Sequence, residues 1–237
     1  MTQIPIYVPI IFIITTIATF GFTYFFTHVT QEIKGGKLPL KVSAVILTWL
    51  LFTAILALND FFMVFDSMPP RLVLAIGVPF ISIIILFANT KSRAFIKRIP
   101  ITALTYLHII RVPVEIVLWW LFIAGLVPQL MTFEGGNYDI FSGISAPFVA
   151  IFLVGMKSKK RVAAIIWNLI TLFLLFNIVF HAILSTPLPF QQFAFDSPNL
   201  GIFKFPFIWL PAFIVPTVLF AHLASLLKLV TNTEDVR

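Results

Sequence analysis

The chain has 237 residues, of which 60% are hydrophobic and only 11% are charged. Soluble domains carry about 25% charged residues, so this composition excludes an ordinary soluble protein and indicates an all-α polytopic membrane protein. The sequence contains no cysteine, which excludes disulfides and thiolate metal sites. The net charge of +7 does not indicate a nucleic-acid partner, because the basic residues lie in the loops between apolar runs. The expected partner is the lipid bilayer.

Seven apolar runs are long enough to be candidate membrane spans. A helix needs roughly 20 apolar residues to cross the hydrocarbon core, and the fifth run is the shortest. The sequence therefore predicts seven transmembrane helices in a single domain, residues 1–237. The runs cover residues 5–28, 42–59, 72–89, 101–127, 141–156, 162–184 and 207–230.

The loops between these runs alternate in charge. Thirteen of the sixteen basic residues fall on one side of the predicted membrane, Arg71 and Lys204 fall on the other, and Arg111 lies within a span. The positive-inside rule makes the basic side cytoplasmic. We therefore expect a multi-pass protein of the inner or plasma membrane, with its N-terminus outside and its C-terminus inside. The basic side carries Lys34, Lys37, Lys41, Lys91, Arg93, Lys97, Arg98, Lys157, Lys159, Lys160, Arg161, Lys228 and Arg237.

An internal repeat is indicated by two segments, residues 49–69 and 167–187. Aligned without a gap, they share eight identities. This pattern favours a 3+1+3 plan of two parallel repeats, residues 5–89 and 141–230, joined by a linker helix at 101–127. Membrane transporters often contain such repeats, although two apolar helices can also match by accident. The identical pairs are Trp49/Trp167, Leu51/Leu169, Thr53/Thr171, Leu56/Leu174, Asn59/Asn177, Phe62/Phe180, Ser67/Ser185 and Pro69/Pro187.

The linker helix carries charges in the middle of an apolar run. Its polar side must face protein or a water-filled cavity, because lipid cannot satisfy charged or hydrogen-bonding groups. Pro113 lies in the same stretch and predicts a kink, because proline removes one backbone hydrogen bond. At roughly 100° per residue, the polar side chains share an arc of about 120°. They are Thr105, His108, Arg111, Glu115 and Trp119.

A ligand pocket is predicted around these residues in the outer half of the membrane. Counted from the basic anchors at about 1.5 Å per residue, Asn59 and Asn177 reach a level similar to that of Glu115. His181 lies one turn above Asn177, whereas Asn168 lies on the opposite face of that helix and is left out. The predicted outward-facing pocket is lined by Glu115, Arg111, Asn177, Asn59, His181, His108 and Trp119.

Structural interpretations of the same residues stay open. Arg111 and Glu115 are spaced i, i+4 and can neutralise each other as a pair. The asparagines and histidines can serve only as hydrogen-bonding groups between helices. The outer loop at residues 132–139 carries Glu134, Asn137 and Asp139 around two glycines, and alternate oxygen ligands of this kind can bind Ca²⁺, although the loop lacks the full pattern. It is interpreted instead as a turn before the fifth span.

Three classes of function fit these features. The first is transport or binding of a small polar or anionic ligand, linked to a proton on Glu115. The second is a membrane enzyme, metal- or haem-dependent, acting on a lipid or quinone-like substrate; His108 and His222 lie at similar depth, as haem ligands would. The third is a sensor or assembly subunit without chemistry. Cofactors, catalytic residues and a protein partner or homo-oligomer stay undetermined.

Overall fold

The computed structural model describes residues 4–31, 36–155 and 160–231 of the chain. Within these ranges the fold is all-helical and contains no β-strand. Lys34, Lys157, Lys159 and Arg237, which were counted on the basic side, lie outside the described residues. The α-helices are α1 (Tyr7–Thr30), α2 (Leu38–Leu58), α3 (Leu72–Ala88), α4 (Thr90–Ile96), α5 (Ile101–Leu107), α6 (Arg111–Ile123), α7 (Ile140–Val149), α8 (Arg161–Leu184) and α9 (Val215–Val230).

The long helices are apolar enough to cross a membrane. Among the described residues, five helices qualify by length and composition, and a sixth qualifies if α3 and α4 form one span. The axes of α3 and α4 are bent by 94° at the break between them. The helix Ile140–Gly155 is apolar but shorter. Several long apolar helices indicate a multi-pass membrane protein. The five long helices are Tyr7–Thr30, Leu38–Leu58, Ile101–Ile123, Arg161–Leu184 and Leu210–Val230.

The predicted linker helix corresponds to Ile101–Ile123, which consists of α5, a 3-10 turn and α6. A glycine ends it earlier than the sequence predicted. The helix stops at Ile123, not at residue 127, because Gly125 adopts a left-handed conformation with φ 73°. The Gly125 amide donates to the Phe122 carbonyl at 2.8 Å, and the Leu126 amide donates to the Leu121 carbonyl at 2.9 Å. These two bonds form a Schellman motif, which satisfies the last carbonyls of a helix.

Two prolines interrupt the helical hydrogen bonding. Pro113 cannot donate to the carbonyl four residues earlier, and the backbone just before it forms a 3-10 turn at His108–Ile110. Pro216 likewise leaves the Ala212 carbonyl without its helical partner, next to a π-helical turn at Leu210–Ile214. The indole N–H of Trp49 donates to that carbonyl at 3.0 Å. A side chain of α2 therefore satisfies a backbone group that a proline leaves free.

The linker helix and the last helix form the centre of the fold. In their most apolar windows, 50% of Ile101–Ile123 and 56% of Leu210–Val230 is buried, compared with 22–28% for the other three long helices. The linker helix also packs closely against α7, where Gly143 lies against Val112. The polar residues of the linker helix therefore lie inside the protein and do not face lipid.

Gly143 provides a test of this packing. A Cβ atom at Gly143 would lie 2.7 Å from Val112 Cγ2 and 2.9 Å from the Val112 amide nitrogen. We expect Gly143→Ala to lower the free energy of unfolding by about 1–3 kcal/mol, the range for overpacking. The matched control is Gly21→Ala in α1, where a Cβ meets nothing within 4 Å. Thermal unfolding in detergent micelles measures both variants, and equal stability of the two would contradict the packing described here.

Candidate functional site

A buried ion pair joins the linker helix to the start of α7. The Arg111 Nε atom donates to Asp139 Oδ2 at 2.6 Å, and Arg111 Nη2 contacts Asp139 Oδ1. Nη2 also donates to the carbonyl oxygen of Thr171 in α8 at 3.1 Å. Arg111 is 2% exposed and Asp139 is 4% exposed. Such two-point, charge-assisted bonds are among the strongest that side chains form.

Asp139 is the last residue of a segment, residues 129–139, that folds back over the linker helix. We call this segment the cover segment. It begins with a 3-10 turn at Gln129–Met131. Gly135 lies so close to this turn that a Cβ would be 2.0 Å from the Gln129 carbonyl oxygen, and Gly136 has a φ of 105°. Only glycine fits these two positions without strain. The two glycines therefore allow the chain to turn inward.

The cover segment also contacts the second carboxylate of the site. Asn137 Nδ2 donates to Glu115 Oε2 at 2.5 Å and to the Met131 carbonyl at 3.0 Å. Asn137 Oδ1 accepts a bond from the Asp139 amide at 3.1 Å. Glu115 and Asn137 are each 1% exposed. One asparagine thus connects Glu115 to the residue that pairs with Arg111.

A histidine and an asparagine extend this network into α8 and α9. His222 Nε2 lies 3.1 Å from Arg111 Nη1, and His222 Nδ1 lies 2.7 Å from Asn168 Oδ1. A guanidinium can only donate, so Nε2 must be the acceptor. The hydrogen of a neutral His222 is then on Nδ1, from where it is donated to Asn168. Both nitrogens of His222 are therefore committed.

His108 lies beside this network without a hydrogen bond of its own. Its ring contacts that of His222, with centroids 4.1 Å apart and planes tilted by 33°, and meets Trp167 edge-on at 5.5 Å. It is fully buried, and neither ring nitrogen has a hydrogen-bond partner among the described residues. The hydroxyls of Ser142 and Ser225 are also buried without a partner. Such groups are uncommon, because most buried polar atoms are hydrogen-bonded.

The other residues of the predicted pocket lie outside this network. Asn59 is exposed at the end of α2, and its amide donates to the Ile55 carbonyl at 2.8 Å. Asn177 is half-buried, and its backbone carbonyl oxygen lies 2.9 Å from His181 Nδ1. Trp119 is half-buried and donates to Glu134 Oε1 of the cover segment at 3.0 Å. The structure therefore brings together His108, Arg111 and Glu115, and it places the remaining four at the edges.

Three interpretations from the sequence need correction. The ion pair of Arg111 among the described residues is with Asp139 and not with Glu115. Excluding Asn168 was wrong, because its side chain contacts His222 within the network. The segment before α7 is a turn, as expected, but it buries Asn137 and Asp139. The sequence marked Asn137 and Asp139 only as possible oxygen ligands in an outer loop, and nothing in it indicated that they contact the linker helix.

The pocket is closed in this structure, and two kinds of metal site do not fit it. The charged groups of the network are at most 4% exposed, so the expected opening to the outside is absent here. The rings of His108 and His222 are in direct contact, with centroids 4.1 Å apart, which leaves no space for a haem between them. Over the described ranges, no group of three or more histidine, aspartate or glutamate side chains is placed to hold a metal ion.

Comparison with known families gives one match. Residues 68–230, about two thirds of the chain, match the model of a domain of unknown function, DUF8737. The chain belongs to the DUF8737 family. The match includes α3 to α9 and therefore every residue of the buried network, whereas α1, α2 and Asn59 precede it. No match was found among curated proteins or among solved structures.

The ion pair of this DUF8737 protein is a point at which stability can be tested. Asp139→Asn leaves the Arg111 guanidinium buried without a counter-charge, which costs about 3–5 kcal/mol of unfolding free energy in comparable pairs. We expect Arg111→Leu to be destabilising as well, because it leaves Asp139 alone. We expect the double variant to be less destabilised than the sum of the two, because no unpaired charge remains.

The measurement is thermal unfolding in detergent micelles, analysed as a double-mutant cycle. The control is Asp66→Asn, which removes an exposed carboxylate and should leave the unfolding temperature unchanged. Additive losses in the double variant would mean that Arg111 and Asp139 do not stabilise each other.

Proposed function

We propose that the protein crosses the membrane seven times, with its N-terminus outside and its C-terminus inside. The third span is α3 alone. Because α4 is bent by 94° from α3 and carries Lys91 and Arg93, it lies along the cytoplasmic surface. The fifth span is the helix Ile140–Gly155, about 24 Å long at about 1.5 Å per residue. It packs against the linker helix at Gly143, and its opposite face carries exposed apolar side chains, among them Phe141 and Phe148.

We also propose that the chain is organised as two parallel three-helix repeats with the linker helix between them. The identities between residues 49–69 and 167–187 support this plan. A shared local bond supports it as well: Thr53 Oγ1 donates to the Trp49 carbonyl, and Thr171 Oγ1 donates to the Trp167 carbonyl. Equivalent threonines thus make the same backbone contact in α2 and α8, whereas the two indoles donate to different groups, the Ala212 carbonyl and Ser145 Oγ.

The topology is tested with single cysteines, because the natural chain contains none. Lys91→Cys and Asp196→Cys replace exposed residues on opposite sides of the proposed membrane. In intact cells, we expect a membrane-impermeant maleimide to label position 196 at once and position 91 only after the membrane is permeabilised. The reverse labelling pattern would show that the topology is inverted. Labelling of both positions from outside would contradict the proposal that they lie on opposite sides of the membrane.

Our functional proposal is that the buried network binds a small polar or anionic ligand and moves it across the membrane together with a proton. The observation that carries it is the charge of the network. Arg111 is its cation, whereas Asp139 and Glu115 are both carboxylates, and all three are buried together. A net charge in a low-dielectric interior is costly. One proton on Glu115 makes the network neutral, and its release makes the network anionic.

The ligand chemistry is suggested by what Arg111 binds in the closed state. Two of its nitrogens hold the Asp139 carboxylate, in the geometry with which arginine binds carboxylates and phosphates. Asp139, Asn137 and Glu134 fasten the cover segment to the linker helix through Arg111, Glu115 and Trp119. When the cover segment lifts, a small anion takes the place of Asp139 on Arg111. The same movement breaks the Asn137–Glu115 bond, which couples ligand binding to the proton.

Glu115→Gln tests the proton. Glutamine keeps the shape and the bond with Asn137 but cannot gain or lose a proton. In liposomes loaded with a pH-sensitive dye, we expect gradients of small dicarboxylates or phosphate to move protons with the natural chain and not with the variant. Infrared spectra should show a protonated carboxyl band that the variant lacks.

The matched control is Asp196→Asn, an exposed carboxylate in the connection before α9. It should keep both the proton movement and the infrared band. A band that persists in Glu115→Gln, or proton movement that is unaffected by this variant, would refute the role given to Glu115. Thermal unfolding of Glu115→Gln serves as the check that this variant remains folded.

A further inference from the structure

The two buried histidines differ in what they are free to do. His222 is held at both nitrogens, by Arg111 on one side and Asn168 on the other. A second proton on its ring would face the guanidinium 3.1 Å away, so His222 positions Arg111 and does not carry protons. The His108 ring contacts that of His222, and neither of its nitrogens has a partner among the described residues. Only His108 can therefore accept a proton without breaking a bond that the structure shows.

We propose that His108, together with Ser142 of α7 and Ser225 of α9, relays the proton of Glu115 through the half of the protein that contains Lys228. This inference rests on the proposed function and adds a route to it. In the relay, one ring nitrogen of His108 gains a proton as the other releases one. The number of protons on the ring is the same before and after, and no other bond changes.

The two serines extend the route in both directions. Ser142 lies one turn from Asp139 on α7, and the neighbouring Gly143 packs against the His108 carbonyl, so Ser142 leads from the carboxylates to His108. Ser225 lies one turn from His222 on α9, and the His222 ring contacts that of His108. Each hydroxyl is buried without a partner, and a hydroxyl both donates and accepts. This route passes beside Arg111, which cannot release a proton.

At the far end, α9 carries a buried lysine. Lys228 lies one turn beyond Ser225, and its Nζ atom donates to the Ile99 carbonyl at 2.6 Å. Isolated hydroxyl and imidazole groups are bridged by internal water in proteins. A chain of such bridges from Ser142 through His108 to Ser225 would bring protons close to the proposed cytoplasmic end.

The charged groups around His108 set the conditions for this relay. On its own helix, Arg111 is one turn away and Glu115 two turns away. α9 contributes His222, α7 contributes Asp139 through its pair with Arg111, and α8 contributes Trp167, which does not titrate. The positive charge of Arg111 therefore repels a positive charge on His108. A proton passes through His108 and does not remain there. Storage remains with Glu115.

Stability separates a relay from a structural role. His108→Phe keeps the ring packing and removes two nitrogens without a protein partner among the described residues. His222→Phe removes the partner of Arg111 and Asn168, so we expect it to lower the unfolding temperature much more than His108→Phe does. A loss in His108→Phe as large as that in His222→Phe would show that the ring nitrogens of His108 have structural partners within the protein, and it would overturn the proposal.

The decisive measurement is the rate at which the Glu115 carboxyl exchanges hydrogen for deuterium, followed by infrared spectroscopy of the natural chain in lipid nanodiscs. A positioned acid–base group accelerates proton transfer by about 10²–10⁴-fold, so we expect exchange in His108→Phe to slow at least about tenfold. Ser225→Ala, a smaller change, should also slow it. The control is His28→Gln, an exposed histidine on α1, which should exchange at the natural rate.

The outcomes distinguish the two proposals. If the natural chain shows the Glu115 band and His108→Phe and Ser225→Ala exchange at the natural rate, the relay is wrong and the proton on Glu115 stands. If the band is absent from the natural chain, the proposed function fails, and the relay fails with it. Slower exchange in both variants, with an unchanged band, supports the relay.

Discussion

The fold around the site depends on one buried guanidinium. Arg111 needs an anion and further acceptors, because an unpaired charge between apolar helices is very costly. The structure supplies them from three elements besides its own helix: Asp139 at the start of α7, the Thr171 carbonyl in α8 and His222 in α9. The same cation therefore sets the position of the cover segment and the approach of three helices. Changes at any of these contacts are transmitted to Arg111.

Around this cation, similar side chains have different roles because their partners differ. Asp139 is paired with the cation, whereas Glu115 accepts a bond from an amide. His222 is held at both nitrogens, whereas His108 is held at neither. In each pair, the side chain of one residue makes two polar contacts among the described residues, and that of the other makes one or none. Residue type alone would not separate the two members of a pair.

The amino-acid sequence predicts part of this arrangement and not the rest, for physical reasons. The apolar runs and the polar arc of the linker helix follow from local composition, and Arg111 and Glu115 do lie in one buried network with His108 beside it. Asp139 could not be found in this way, because its burial depends on the φ of Gly136 and on a contact between Gly135 and Gln129. Sequence near Asp139 indicates a turn but not its direction.

Prediction from the sequence has a second limit, which concerns the face of α8 that contacts the site. Asn168 and Asn177 lie on opposite faces of this helix, and the sequence does not show which face packs against the linker helix. The contact of Asn168 with His222 decides it. Asn59 similarly depends on where α2 ends, and it lies exposed there. Assigning a buried face requires the neighbouring helices, whose positions are set by distant parts of the chain.

The contact between Trp49 and the Ala212 carbonyl has a consequence for how the family should be delimited. Ala212 lies inside the segment that matches DUF8737, but Trp49 lies before its first residue. Tyr7 and Phe12 of α1 similarly pack against Trp120 and Phe207. The preceding two helices thus supply the matched segment with a hydrogen bond and with part of its packing. Its boundary describes sequence similarity and does not mark a unit that is structurally complete by itself.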